Sequence, residues 1–485
     1  MRLQSAIGTA VTTIAKTITV AAGVFAPGHL GELTWQVPFD LADAVLEETR
    51  TREQRLRDLP SRVGIYFVLA FGLFPGLGYG VVWQKLTAAL DSLPVPCPSL
   101  KALRDLRRRL GVAPLKGLFE VLAGPAAQPF TPGVRFGRFR TVAFDGCTSI
   151  KVPDTGPNRS WLGKMKAALG VTGYPAIELM TLVETGTRAL IGAVFGPPAT
   201  GETDYARQLC HLLTKDMLVL TDRGFDAAGF LEAVTAAKAQ FLARLRSTRR
   251  LPVMASLDDG TFVSRIGALT VRIIEAEITV TCADGTRYGG RYRLATTLTD
   301  HRRYPARALI RLYHERWEHE VAYLALRHTL LHGRVLRSED PAGLQQEIWA
   351  LLALYQALRR EMVTAVETVP GTDPDRASFT IALQTAIDTV TAAHGVIPGD
   401  AGGPGRIGRA VLDGLLPPRR RRVSVRKVKS PLSRWNKADP HRPARSTPVT
   451  AMGITVHRPE TPETRDTPAA VLDRRARTLT TWHWR

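Results

Sequence analysis

Two aspartates sit where a sheet-based enzyme would place its chemistry. Asp145 follows the apolar run Val142, Ala143, Phe144 and precedes Gly146, whose missing side chain lets a ligand approach the backbone. Asp222 closes the apolar stretch "MLVLTD", with Gly224 just beyond it. In open α/β sheets ligands collect at the carboxyl ends of strands. An aspartate after a strand also commonly caps the next helix, so either residue alone decides little. The chain, however, carries 65 Lys and Arg against 44 Asp and Glu, a net charge of +21, and such an excess points to a polyanionic partner. Paired acids on a basic surface suggest a divalent cation. Mg²⁺ takes one or two carboxylates and completes its shell with phosphate and water. Two such ions can activate the attacking oxygen and stabilise the leaving one in phosphodiester chemistry.

A third carboxylate is then expected, and "YHERWEHEVAYLALR", residues 313–327, offers Glu315, Glu318 and Glu320. If the stretch is one α-helix, each residue turns by about 100°. Tyr313, Arg316, Glu320 and Arg327 then fall within an arc of about 60°, while Glu315 and Glu318 lie on the far side. A carboxylate for metal, flanked by cations and a phenol for phosphate, makes a coherent site. The plainer alternative is an i, i+4 ion pair between Arg316 and Glu320. His328 and His332 share the same spacing, but "HTLLH" lacks the glutamate of a zinc-binding H-E-x-x-H motif.

The elements that must position these residues change character along the chain. Residues 39–110 carry apolar residues at helical spacing with polar starts, and Arg104, Arg107, Arg108 and Arg109 make the last helix strongly basic. That helix reads either as a nucleic-acid contact or as a solvated charged face. From about residue 135 the order becomes three strands, helix, strand, helix, strand, which implies an α/β domain with a mixed sheet. Short β-like pieces at 249–303 read as a β-rich insertion, and helix resumes over 304–400. Gly, Pro and Arg dominate 401–485, read as a basic, Pro-rich, largely disordered tail.

Length and composition exclude several classes. At 485 residues, with 45% hydrophobic and 22% charged residues, the chain is globular and long enough for more than one domain. Cys97, Cys147, Cys210 and Cys282 form no C-x-x-C pair, which excludes a disulfide framework and a Cys-based zinc site and fits a reducing cytoplasm. Lys16 interrupts the mildly apolar N-terminus before a signal-peptide core is complete. Residues 63–84 are uncharged and long enough to span a bilayer, but Pro75 and several glycines break the run. Two buried helices and a turn are expected there, and no membrane partner.

These residues resemble the catalytic core of DDE transposases of the insertion-sequence-four family. Tyr313, Arg316 and Glu320 fit its Y-x2-R-x3-E-x6-K signature, with Arg327 at the Lys position; "FDGCTSIKVPDTGPN" looks like its first-Asp block and "LTDRGF" like its second. The stretch from Leu30 to about residue 87 is similar to the family's N-terminal domain. The resemblance implies an RNase H-like catalytic core with a β-rich insertion and an N-terminal helical domain. It assigns 1–125 to the helical, DNA-binding domain, 135–248 and 304–400 to the two parts of the core, and 249–303 to the insertion. It further implies that Asp145, Asp222 and Glu320 ligand two Mg²⁺ ions, with Mn²⁺ as a substitute, and that Tyr313, Arg316 and Arg327 hold DNA phosphates. The expected activity is binding of terminal inverted repeats in double-stranded DNA, followed by metal-dependent cleavage and strand transfer by a homodimer in a synaptic complex. A catalytically silent DNA-binding regulator and a structure-selective nuclease on the same fold are the alternatives. Arg327 keeps the charge of Lys but presents a planar fork, and Cys147 displaces the usual Thr by one position.

Overall fold

A computed structural model of the chain describes residues 28–53, 57–90, 95–164, 166–167, 170–171, 173–315, 323, 325–396, 403–418, 422–423 and 447–459. The helical spacing of the N-terminal region folds into α1 (Phe39–Glu48), α2 (Ser61–Leu73), α3 (Tyr79–Thr87), α4 (Leu100–Leu110) and α5 (Ala113–Leu122). Every residue of α2 except Arg62 is buried, as expected for a helix apolar all round. The apolar run of residues 63–84 is therefore two packed helices joined by a turn. Among the described residues no helix is long and apolar enough to cross a membrane.

Beyond residue 135 the period falls to two and the chain forms β1 (Phe139–Lys151), β2 (Ala176–Glu184), β3 (Leu190–Gly196), β4 (Met217–Thr221) and β5 (Gln240–Arg244). Helix α6 (Glu202–Gln208) follows β3, and α7 (Ala228–Ala236) joins β4 to β5. The strands lie in the order β3-β2-β1-β4-β5. The first three pair antiparallel, and β4 and β5 add in parallel. This is the mixed sheet of an RNase H-like core. Val142, Phe144, Met180 and Val219 bury one face against Phe230, Leu231 and Val234 of α7. On the other face Ala143, Leu218 and Leu220 meet Leu309 and Ile310 of α8 (Ala306–Glu315).

Residues 249–303 are β-rich, as expected of the insertion. Their two long strands, β6 (Leu269–Cys282) and β7 (Arg287–Thr296), continue the main sheet, because β7 pairs with β5 through Leu294–Arg244, Ala295–Ala243 and Thr296–Leu242. An edge strand left open presents unpaired N–H and C=O groups, and β7 satisfies those of β5.

Helix α9 (Pro341–Glu367) and α10 (Phe379–Thr391) share one hydrophobic core with α1–α5 and with β1–β3, so the N-terminal helical domain packs directly against the catalytic core. Within that core Gln356 donates to the carbonyls of Leu122 and Gly124 while accepting from Leu190 N, tying the helical region to β3. The segment 401–485, read as a disordered tail, contributes α11 (Arg406–Asp413) and β8 (Thr447–Val456), the latter paired antiparallel with β6.

The basic helix α4 resolves residue by residue. Arg107 is buried, and its guanidinium donates to Gln346, Ser338, the Gly343 carbonyl and Glu347. Arg109 donates to the Leu59 carbonyl and ion-pairs with Glu53. Arg104 and Arg108 remain exposed. Two of the four charges thus join helices together and two face solvent. Arg107→Ala takes the guanidinium from the buried Glu347 carboxylate and from Gln346, Ser338 and the Gly343 carbonyl, and is expected to cost about 3–5 kcal/mol in urea unfolding, whereas Arg104→Ala stays within about 0.5 kcal/mol of the parent.

Candidate active site

Strand register brings Asp145 and Asp222 level. β1 and β4 pair in parallel from Arg140 opposite Met217 to Ala143 opposite Leu220, and each aspartate lies two residues past that last pair. Neighbouring strands are about 4.8 Å apart, so the two acid-bearing positions stand side by side just past the carboxyl end of the parallel β1·β4 pairing. Ala143 and Leu220 both face α8, and alternation along the strand turns Asp145 to that same face. Asp222 Oδ1 accepts from Gly224 N at 2.7 Å. The capping role and the site position therefore coincide in one residue.

Two tyrosines hold the strands beside these acids. Tyr313, in α8, is 3% exposed and donates from Oη to the carbonyl of Thr221 at 3.1 Å, one residue before Asp222. Expected as a phosphate ligand, it supports the strand end from inside the core. Tyr323 donates to the carbonyl of Asp145 at 2.5 Å and bonds Thr181 Oγ1 at 2.9 Å. Burial first, and the nearby Asp145 charge second, keep its phenol protonated.

Arg316, Glu318 and Glu320 lie outside the described residues. Arg327 belongs to a π-helix, Ala325–Leu330, whose wider i→i+5 turn breaks the 100° periodicity used to align it with Tyr313. Its charge reaches Cys147 all the same: burial pushes that thiol up, and the Arg327 charge pulls the other way. His328 and His332 are exposed. Among the described residues no three His, Cys, Asp or Glu side chains converge closely enough to hold an ion. Beside Asp222, Arg244 is buried with its guanidinium 4.3 Å over the Tyr292 ring, and Arg223 lies within reach of its charge.

Residues 27–120 match the family described as insertion element 4 transposase N-terminal, and residues 138–356 match the transposase DDE domain. The chain belongs to the insertion-sequence-four family of DDE transposases. It is 25% identical over 369 residues to the transposase InsG for insertion sequence element IS4 of Escherichia coli (strain K12), covering 74% of this chain and 83% of that protein. A piggyBac transposase synaptic complex with hairpin DNA is similar at a TM-score of 0.40 and 12% identity, over 78% of this chain and 82% of that one. The transposase is an enzyme of DNA cleavage and strand transfer that depends on a divalent metal. Carboxylate oxygens like those of Asp145 and Asp222 are the hard donors such an ion takes.

The transposase also carries acids that its sequence did not single out. Glu178 on β2 is 2% exposed, and its Oε1 has no hydrogen-bond partner. Burial, then Glu202 and Asp145, push its carboxyl up from 4.5 to about 7. Burial and Asp222 raise Glu202 as well. An acid in the middle of the apolar "AIELMTLVE" was the available signal for Glu178, whereas Glu202 resembles any helix-opening glutamate.

The folded protein binds the Glu178 proton more tightly than the unfolded chain does, so stability falls as pH rises from about 4.5 through 7. Glu178→Gln removes that slope. In EDTA its urea midpoint should match the parent at pH 5 and exceed it at pH 8, by up to roughly 3 kcal/mol. Tyr323→Phe leaves the Asp145 carbonyl without its donor and should cost about 1–2 kcal/mol.

Proposed function

We propose that Asp145, Asp222 and Glu320 hold the metal ions of this transposase, that the ions are two Mg²⁺, and that the substrate DNA is the element's terminal inverted repeats. The observation that carries this reading is the parallel register that sets Asp145 and Asp222 side by side. Glu320 is supported by its brackets in the sequence. Tyr313 before it is bonded to the Thr221 carbonyl, and Tyr323 after it to the Asp145 carbonyl. Bound Mg²⁺ would lower the pKa of a water and neutralise charge on the scissile phosphate. The chain's own task is to hold the three carboxylates ionised and to place the phosphodiester among them. In cleavage, water oxygen bonds to phosphorus and the 3′-oxygen leaves as a 3′-OH. In transfer that 3′-OH attacks a target phosphodiester, again releasing one 3′-oxygen.

Arg316 and Arg327 are the proposed phosphate holders, with the charge of Arg327 felt at Cys147, two residues past Asp145. Arg223 and Arg244 add positive charge on the Asp222 side. Arg104 and Arg108, exposed on α4, line an open cleft with Tyr79 and Arg337 that suits a DNA backbone. The working assembly is a homodimer on paired ends, acting in the bacterial cytoplasm.

Supercoiled DNA carrying the element's own ends tests the assignment. Asp145→Ala, Asp222→Ala and Glu320→Gln should each lower Mg²⁺-dependent cleavage by at least about 10³-fold, while Glu315→Gln and Glu318→Gln cleave like the parent. An Asp145→Ala protein that cuts normally would sink the assignment. Because a +21 chain releases counterions on binding, end-binding affinity should fall steeply and log-linearly as salt rises. Mass photometry of the bound complex should count two protein chains.

A further inference from the structure

Glycine follows Asp145 directly and Asp222 at one remove, and one side chain occupies the room both glycines leave. A Cβ on Gly146 would sit 2.8 Å from Glu202 Oε1 and 3.0 Å from its Cδ and Cγ. A Cβ on Gly224 would lie 3.6 Å from Glu202 Oε2 and 3.0 Å from Asp222 Oδ1. The Glu202 carboxylate thus spans the gap between the two aspartate-bearing strands, with one oxygen toward the glycine of each. It reaches them from α6, on the opposite side of the sheet from α8. Behind it lies Glu178, nine-tenths and more buried, with an unpartnered Oε1. A buried carboxylate oxygen without a donor is costly, and two acids packed behind two more repel one another unless positive charge or bound water enters between them.

We propose that Glu202 is a further carboxylate of the cation site, holding a water of the ion's shell from the far side of the sheet, with Glu178 as the acceptor behind that water. This rests on the assignment of Asp145 and Asp222 as metal ligands. Mg²⁺ and Mn²⁺ sites of this kind keep several waters. Outer-shell partners that orient those waters typically change metal affinity by about 10- to 100-fold when removed. No three acid side chains among the described residues converge to direct ligand distance, so Glu202 acts through water. It is a positioning residue.

Mn²⁺ binding to the full-length protein without DNA, followed by the electron paramagnetic resonance signal of free Mn²⁺, tests the idea without recourse to activity. Asp222→Asn should lose the tight site. Glu202→Gln should weaken it by about 10-fold, with a melting temperature in EDTA no lower than the parent's. Gly146→Ala supplies a second route, since its methyl would displace Glu202 Oε1 without removing a charge, and should weaken Mn²⁺ several-fold. If Asp222→Asn loses binding while Glu202→Gln and Gly146→Ala both stay within twofold of the parent, Glu202 has no part in the site. If Asp222→Asn itself binds Mn²⁺ like the parent, the ligand assignment fails first and this inference falls with it.

Discussion

Four backbone pairs between β1 and β4, ending at Ala143 opposite Leu220, decide where the acids meet. Side chains on a strand alternate faces, so a slip of one residue would send Asp145 and Asp222 to different levels and bury charge on one side. The slip is resisted by packing on both faces at once. Val142, Phe144 and Val219 belong to the core beneath α7, while Ala143, Leu218 and Leu220 belong to the core beneath α8. Either core would be destroyed by a register change. Site geometry is therefore inherited from hydrophobic burial rather than from any interaction between the acids themselves, which repel.

Around that register the remaining parts act as clamps. Tyr313 fixes the end of β4 and Tyr323 the middle of β1, each through a backbone carbonyl beside or at an aspartate. Helix α9 carries the clamp outward, with Gln356 joining β3 to the end of α5, and Gln346 and Glu347 gripping Arg107 of α4. The helical region and the sheet are thus packed as one body, which fixes the distance between the exposed face of α4 and the acids.

Much of this was legible in the sequence because it is local. An apolar strand ending in Asp and Gly is visible in ten residues, as are the two buried helices of residues 63–84, where Pro75 and the glycines mark the turn. What stayed hidden depends on distant pairing. Arg107 looked like its neighbours Arg104 and Arg108, since its burial is decided by Gln346 and Glu347, some 240 residues away. The strands of 249–303 show their period but not their partner, and β5 gives no local sign that its edge must be covered. The α-helical angle that aligned Arg327 with Tyr313 assumed a regular turn, and the π-helix at Ala325–Leu330 has a different one. Glu178 was visible as an acid out of place, and Glu202 was not, because only the glycines opposite it reveal where its carboxylate goes.

The pairing of β8 with β6 has a consequence for biosynthesis. Thr450 bonds to the Thr281 carbonyl across a sequence separation of 169 residues. β6 therefore leaves the ribosome long before the strand that covers its outer edge has been made. Contacts of such long range form slowly, and a nascent chain with an open β edge is prone to associate with its neighbours. A messenger truncated before Thr447 would leave that edge open for good, so shortened products should be cleared by aggregation rather than persist as competing DNA binders.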